Sequence, residues 1–251
     1  MQRVLITAGA SGIGREMARA FAATGAKLFV CDIDAKGLDA LAKEIPGTVT
    51  ALCDMASRAA IEKMVPQAAL ALGGIDVLIN NAGIAGPTQP VDKMPPEEWD
   101  RTVAVNITGM FDVTRLAIPH LKKSEAGVII NMSSIAGRLG FINRSPYAAT
   151  KWAVVGFTKT LALELGHLGI RANAILPGAV AGERIERVFE GRATIANKTV
   201  EAIRAEAFAN QSIKSLIDPR DIAQLAVYLA SPAAKAISGQ AIPIDNDRQR
   251  T

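Results

Sequence analysis

The segment Thr7-Ala8-Gly9-Ala10-Ser11-Gly12-Ile13-Gly14 directly follows a short apolar run and leads into residues with helical spacing. Its glycines let backbone amides and the N-terminus of a helix approach a pyrophosphate, which a Cβ atom would obstruct. Any tight turn between a strand and a helix can use glycine, so the loop alone leaves a plain turn as an equal alternative. The surroundings of the loop therefore decide its meaning.

Apolar segments rich in β-forming residues alternate with helical segments along the whole chain. Seven strands are predicted, at residues 3–7, 27–31, 48–53, 77–80, 128–131, 171–176 and 240–244. Strand, helix and strand in repetition force parallel pairing, because a crossover helix returns the chain to the same direction. The sequence predicts an α/β fold: one doubly wound, Rossmann-type sheet of about seven parallel strands, with helices on both faces and ligands bound beyond the carboxyl ends of the strands.

One segment interrupts this alternation. Residues 179–217 are charged and helix-prone, with no strand among them. An insertion of this length beside the strand ends is more often a lid or substrate wall than an idle loop. We therefore predict a single domain over residues 1–251 with a helical insertion on the substrate side. Pro95 and Pro96 are predicted to start a separate helix earlier in the chain.

Composition excludes several classes of protein. The net charge of +4 comes from positive residues interspersed with negative ones, as in Glu183, Arg184, Glu186, Arg187, Glu190 and Arg192, and such a mixed surface argues against nucleic-acid binding. No signal peptide is recognisable before the first strand, and no apolar run is long enough to cross a membrane. A cytoplasmic protein without membrane association is the prediction. Cys31 and Cys53 are expected to be buried thiols, and no metal site is predicted.

An acidic residue ends the second strand. Asp32 stands where a carboxylate accepts hydrogen bonds from an adenosine ribose. The extra phosphate of NADP would bring negative charge against it, and neither Ser11 nor Ile33 offers a compensating base. NAD is therefore the predicted cofactor. The alternative is that Asp32 is only a turn residue beside Asp34.

The motif Tyr147-Ala148-Ala149-Thr150-Lys151 lies in a segment predicted to be a long helix. Residues four apart share a helix face, so the phenol and the ammonium can point into one pocket. A nearby positive charge favours the phenolate and lowers the pKa of tyrosine towards the range of a general base. This spacing is common by chance, however, and alone would indicate a surface pair.

Further polar residues are predicted at the carboxyl ends of strands. Ser134 follows the fifth strand and could hold a substrate oxygen, although Ser133 beside it leaves the choice open. The run 80–83, Asn-Asn-Ala-Gly, closes the fourth strand. Asn106 lies inside a predicted helix, where it either bonds to backbone or does something polar in the interior.

Together these motifs, in this order, resemble the short-chain dehydrogenase/reductase family over essentially the whole length. The resemblance implies that Tyr147 is the catalytic acid/base, that Lys151 lowers its pKa and binds the nicotinamide ribose, that Ser134 polarises the substrate oxygen and that Asn106 supports a relay water. It implies an NAD site formed by Gly9, Ser11, Gly12, Ile13, Gly14, Asp32, Ile33, Asp54, Met55, Asn81, Ala82, Gly83, Tyr147, Lys151, Pro177, Gly178 and Val180. A homotetramer is also implied.

Three positions depart from the family pattern. Ala8 stands where a first glycine is usual, Gly182 where a threonine often holds the carboxamide, and Asn246-Asp247 where Gly-Gly is more usual. The resemblance implies an NAD(H)-dependent oxidoreductase that interconverts a secondary alcohol, sugar hydroxyl or hydroxy acid and a carbonyl compound. The alternative is a catalytically silent nucleotide-binding regulator or scaffold of the same fold.

The substrate is not readable from the sequence, but arginines lie near the predicted pocket. Arg138 and Arg144 fall between Ser134 and Tyr147, together with Phe141 and Asn143. One hypothesis is that an arginine clamps a substrate carboxylate bidentately. For Arg184 and Arg187 the favoured expectation is instead pairing with neighbouring glutamates at the surface.

Overall fold

The sheet of the computed structural model, which describes residues 1–249, has the predicted architecture. Seven parallel strands pair in the order β3-β2-β1-β4-β5-β6-β7. They are β1 Arg3–Thr7, β2 Lys27–Asp32, β3 Val49–Leu52, β4 Val77–Asn80, β5 Val128–Met132, β6 Arg171–Pro177 and β7 Ala241–Ile244. The α/β fold and the number of strands are confirmed. The predicted boundaries coincide with these or differ by one residue, and β3 is one residue shorter than predicted at each end.

Helices cover both faces of the sheet. They are α1 Gly12–Ala23, α2 Ala35–Glu44, α3 Arg58–Leu72, α4 Pro96–Val103, α5 Gly109–Leu121, α6 Ser145–Leu165, α7 Glu183–Ala196, α8 Val200–Ala209 and α9 Pro219–Ala230. The helix α4 starts at the predicted proline pair. A π-helical segment, Ala104–Thr108, joins α4 to α5. No helix of residues 1–249 is both long and apolar enough to cross a membrane.

Successive side chains along a strand point to opposite faces of the sheet, and a hydrophobic core lies on each face. Val4 and Ile6 of β1 pack with α1, α2 and α9 on one face. Leu5 packs on the other face with α3, α5 and α6, and Phe29 of β2 joins it there. All four side chains are fully buried, which explains why the strands read as nearly continuous apolar runs. Cys31 and Cys53 are buried free thiols, as expected.

The insertion 179–217 is helical and has a small core of its own. Phe189 and Ala193 of α7 pack against Ile203 and Ala207 of α8. A bridge between Val180 and Ile217 joins the two ends of the segment. The helices α7 and α8 thus form a unit that is attached to the sheet at its base.

The topology places a crevice between β1 and β4. These neighbouring strands lie at the point where the strand order reverses, and the chain leaves their carboxyl ends towards opposite faces of the sheet. Thr7 and Asn80 are the last residues of the two strands. The predicted site residues from 8 to 14 and from 81 to 83 therefore border one crevice.

Candidate active site

The glycine-rich loop leaves the first turn of α1 available to a ligand. Ser11 occupies the N-cap position but makes no side-chain capping bond, and the first turn contains no acidic residue. The exposed amides and the helix dipole are therefore uncompensated, as a pyrophosphate site requires. Gly12 has a φ of +51° and open space around the missing Cβ. These residues fit a dinucleotide phosphate group.

Gly14 is needed because the loop folds tightly over it. A Cβ there would collide with the Ala8 carbonyl oxygen and approach Asn81 Nδ2 to 2.6 Å. We expect Gly14→Ala to lower the free energy of unfolding by about 1–3 kcal/mol, measured by thermal unfolding. Gly191→Ala in α7 is the matched control, because a Cβ there would make only ordinary contact, 3.4 Å from Thr88 Oγ1. Equal stability of the Gly14 variant and wild type would contradict the expectation.

Asp32 presents its carboxylate at the end of β2, beside this loop. Its Oδ2 accepts a hydrogen bond from the Ala10 amide at 2.9 Å, and Oδ1 accepts one from the Ile33 amide at 2.7 Å. The next strand end lies alongside, since the Cys53 amide donates to the Asp32 carbonyl at 2.9 Å. Asp54 and Met55 follow there, so these three predicted adenosine-site positions are brought together.

Hydrogen bonds tie the tips of β1 and β4 together across the crevice. Thr7 Oγ1 accepts bonds from the Asn81 and Ala82 amides, both at 3.0 Å. The Asn81 amide group donates to the Ala8 carbonyl at 2.8 Å. At Gly83 a Cβ would lie only 3.2 Å from both Asn106 Oδ1 and Lys151 Nζ. The loop after β4 thus passes directly over the predicted catalytic residues.

Lys151 lies in α6, is 3 % exposed, and extends its side chain towards the end of β5. Its ammonium donates to the Met132 carbonyl at 2.8 Å, and the Ser133 hydroxyl donates to the Lys151 carbonyl at 2.7 Å. Burial lowers the pKa of Lys151 to about 8, against the opposing effect of Tyr147. The Ser133 hydroxyl is thus engaged with the backbone of α6.

Tyr147 lies among cationic groups. Its ring centroid is 5.7 Å from Lys151 Nζ, 5.0 Å from Arg144 Cζ and 5.7 Å from Arg184 Cζ. Burial alone would raise the pKa of the phenol, but the charges of Arg184 and Lys151 and hydrogen bonding with Ser134 outweigh it and lower the pKa below 10. Tyr147, Lys151 and Ser134 are therefore brought together as predicted, with a phenol that ionises more readily than a free tyrosine.

Asn106 lies in the π-helical segment, and its side chain bonds chiefly to backbone. Its Oδ1 accepts from the Ile84 amide at 2.8 Å, and its Nδ2 donates to the Ile84 carbonyl at 3.1 Å and to Thr150 Oγ1 at 3.0 Å. The first of the two possibilities for this residue is thus observed. Thr150, which the sequence analysis did not single out, links Asn106 to the tyrosine helix.

A family model described as short chain dehydrogenase matches residues 2–193. D-beta-hydroxybutyrate dehydrogenase of Cupriavidus necator is 38% identical over 242 residues, covering 94% of this chain and 93% of the relative. This chain belongs to the short-chain dehydrogenase family. Membership makes it an oxidoreductase that acts on CH–OH groups.

Solved structures of short-chain dehydrogenases superimpose closely on this one. An NAD+-bound xylitol dehydrogenase matches with a TM-score of 0.93 at 26% identity, covering 98% of each chain. An actinorhodin polyketide ketoreductase with NADPH matches with a TM-score of 0.92 at 33% identity, covering 98% of this chain and 96% of that chain. Since the two proteins contain different cofactors, overall similarity establishes a nicotinamide cofactor without specifying which one.

At each of the three departures from the short-chain dehydrogenase pattern, the backbone has a positive φ. Ala8 has a φ of +52°, in the left-handed region that the usual glycine adopts more easily. Gly182 has a φ of +136°, which favours glycine over the usual threonine. Asn246 and Asp247 have φ values of +57° and +55°, and these residue types tolerate the left-handed region best after glycine.

Pro177, Gly178 and Val180 continue from the end of β6. Gly178 lies against the turn after β7, where a Cβ would come within 2.9 Å of Asp245 Cα. Its amide donates to the Ile244 carbonyl at 3.0 Å. Ser134 Oγ lies 3.5 Å from the Pro177 carbonyl. This segment therefore borders the same crevice as Ser134.

The expectation for the two arginines of α7 is correct for one and wrong for the other. Arg187 pairs with Glu183 at 3.5 Å on the surface. Arg184 instead donates to the Gly83 carbonyl at 3.1 Å and faces the Tyr147 ring. The contact could not be read from spacing, because it joins residues about a hundred positions apart in different elements.

The position of Arg184 predicts a pH effect. Alcohol oxidation needs an unprotonated phenol, so kcat/KM should rise with pH through an apparent pKa below 10. Arg184→Gln removes the strongest of the charges that lower this pKa, and the rise should move to higher pH. Arg187→Gln, which removes an exposed charge from the same helix, should leave the profile in place. Superimposable profiles for Arg184→Gln and wild type would contradict the assignment.

Proposed function

We propose that this chain is an NAD-dependent dehydrogenase/reductase that interconverts a secondary alcohol, sugar hydroxyl or hydroxy acid and the corresponding carbonyl compound. The observation that carries the proposal is the convergence of Tyr147, Lys151 and Ser134 at the carboxyl ends of the strands. A protein that only binds a nucleotide has no need of a phenol whose pKa is lowered. The geometry therefore favours turnover over a silent regulatory or scaffold role.

The roles of the residues follow from their surroundings. Tyr147 removes the hydroxyl proton during oxidation and returns it to the carbonyl oxygen during reduction. Ser134 holds the substrate oxygen, and Lys151 keeps positive charge beside the phenolate. We assign Asn106 a supporting role for a relay water, since its side chain holds the Ile84 backbone and Thr150 in place.

The residues around the crevice fit a nicotinamide dinucleotide. The chemistry that a bound nicotinamide supplies is hydride transfer to or from the substrate carbon. The loop Gly9, Ser11, Gly12, Ile13 and Gly14 would hold the pyrophosphate, and Asp54, Met55 and Ile33 would border the adenosine. Asn81, Ala82, Gly83, Pro177, Gly178 and Val180, with Tyr147 and Lys151, would surround the nicotinamide end.

Asp32 supports NAD as the specific cofactor. Its carboxylate borders the pyrophosphate loop, and the neighbouring Ile33 side chain is exposed and apolar. An added phosphate would meet negative charge there without a compensating base. NAD is therefore the expected cofactor.

The insertion 179–217 is proposed to form the substrate wall. Its α7 contributes Arg184, which contacts both Gly83 and Tyr147. Steady-state assays of alcohols and carbonyl compounds with NAD(H) and NADP(H) in parallel test the proposal. Turnover with NAD(H) is expected. Tight NADH binding with no turnover across the panel would favour the silent alternative.

We expect a homotetramer formed partly through α4, α5 and α6. These helices expose large apolar side chains, namely Trp99, Phe111, Trp152 and Leu163, the last of them 85 % exposed. Several large exposed apolar side chains on these helices favour an interface there. Light scattering should give four times the chain mass, and Leu163→Asp should lower it. A monomer at micromolar concentration would contradict this expectation.

A further inference from the structure

We infer that the substrate carries an anionic group, a carboxylate, sulfonate or phosphate, that is bound by Arg144 together with Arg184 and Arg192. The inference rests on the proposed function and specifies the substrate class of the same site. It follows from the guanidinium groups of Arg144 and Arg184, which face the Tyr147 ring, and from Arg192, which lies on the same helix as Arg184.

Arg144 is the central residue of this anion subsite. Its side chain is only 6 % exposed, and Nη2 donates to the Ala85 carbonyl at 3.0 Å. Its Nε is buried and has no hydrogen-bond acceptor among residues 1–249. A buried charged donor without an acceptor is costly, and native proteins rarely retain one without a reason. An anion beside the guanidinium would supply both the missing acceptor and the missing charge.

Arg184 and Arg192 bring more positive charge to the same place. Both lie on α7, and both add to the burial that lowers the pKa of Arg144. None of these three arginines forms an ion pair with a carboxylate within the described part of the chain. Like charges repel each other, so a bound anion would stabilise the arrangement.

Other arginines nearby show that acidic partners were available. The α7 residues Glu183 and Glu186 pair with Arg187 at 3.5 Å and with Arg204 at 2.6 Å. Arg138 Nη2 lies 3.9 Å from Asp245 Oδ2 in the turn after β7. These three carboxylates thus lie nearest to arginines outside the subsite.

The distances restrict the size of the substrate. The guanidinium carbons of Arg144 and Arg184 lie 5.0 and 5.7 Å from the Tyr147 ring centroid. An anion held by them would lie close to the oxygen that exchanges its proton with Tyr147. The expected substrate is therefore a small hydroxy acid, or a small phosphorylated or sulfonated alcohol, rather than a long neutral chain. The planar guanidinium groups suit bidentate contact with such anions.

Matched substrate pairs test the inference. The first pair is 3-hydroxybutanoate and its methyl ester, and the second is glycerol 1-phosphate and glycerol, each with NAD. We expect kcat/KM to be about 10- to 100-fold higher for the charged member of at least one pair, as for a charge-assisted hydrogen bond. The pair that shows the preference distinguishes a carboxylate from a phosphate. Equal values in both pairs would overturn the inference while leaving the proposed function intact.

Variants separate charge recognition from folding. Arg192→Gln should lower kcat/KM for the preferred anion roughly 10-fold or more, mainly through KM, and should change the value for the neutral partner little. Arg144→Gln should lower kcat/KM for both members of the pair, because its charge also acts on Tyr147, but the loss should be larger for the anion. Arg192 is partly exposed, so its variant should fold even if removal of buried Arg144 does not allow folding. Arg187→Gln is the matched control, with values like wild type. Unchanged discrimination in the Arg192 variant would count against the subsite.

If none of these compounds is turned over, a binding measurement still tests the anion subsite. Calorimetric titration of the NADH-bound protein with malonate, and separately with inorganic phosphate, should show binding in wild type that weakens about 10-fold in Arg192→Gln. Binding without turnover would retain the anion subsite and reject the proposed function. Absence of binding by both anions would reject the subsite.

Discussion

Replacing Tyr147 by phenylalanine should lower kcat/KM about 10²- to 10⁴-fold, which is the range that general acid–base catalysis contributes. The substitution removes only the hydroxyl and leaves a ring of the same shape among Arg144, Arg184 and Lys151. Because Asp32 and the glycine-rich loop are left unchanged, NADH affinity should fall far less than kcat/KM. Activity is measured from NADH absorbance and binding from NADH fluorescence.

Tyr228→Phe provides the matched control for this prediction. Tyr228 lies in α9, partly exposed and away from the crevice. Its loss of a hydroxyl should leave both activity and NADH binding unaltered. If Tyr147→Phe retained most of the wild-type rate, another group would have to supply the proton transfer, and the proposed mechanism would be wrong.

The second large effect concerns the choice of cofactor. Wild type should use NAD about 10²- to 10³-fold more efficiently than NADP, since an unscreened like charge a few ångströms away costs several kcal/mol. Asp32→Ser should remove most of that preference. The substitution should also destabilise the conformation of the glycine-rich loop, because the Ala10 amide loses its acceptor. The ratio of kcat/KM for NAD and NADP measures the effect.

Asp39→Asn is the control that separates the effect of the charge at Asp32 from the effect of the overall charge of the protein. Asp39 is exposed on α2, so its substitution removes one negative charge without touching the loop. Its cofactor ratio should match wild type. A wild-type enzyme that prefers NADP, or an unchanged ratio in Asp32→Ser, would refute the assignment of NAD from this carboxylate.

Features that depend on local sequence could be predicted. The strands are apolar and short, the glycine loop follows β1, and Tyr147 and Lys151 share one turn of α6. Parallel pairing then brings the carboxyl ends of the strands together whatever the details of the loops. For that reason the sequence could predict the fold and the position of a serine after β5 in the same crevice as Tyr147 and Lys151.

Contacts between distant elements could not be predicted. Arg184 reaches Gly83 across the crevice, and the burial of Arg144 depends on how the loop at Ala85 packs. The bond from the Ser133 hydroxyl to the carbonyl of Lys151 likewise links the segment after β5 to α6. No periodicity encodes such contacts, because they join segments that come together only when the sheet has formed.

The pair of hydrogen bonds between β5 and α6 has a consequence for heat inactivation. The Lys151 ammonium donates to the Met132 carbonyl, and the Lys151 carbonyl accepts a bond from the Ser133 hydroxyl. Two hydrogen bonds of opposite direction therefore link the end of the strand to the helix. Separation of the strand end from the helix would break both bonds and disrupt the central core. Loss of activity on warming should therefore coincide with cooperative melting of the whole domain rather than precede it.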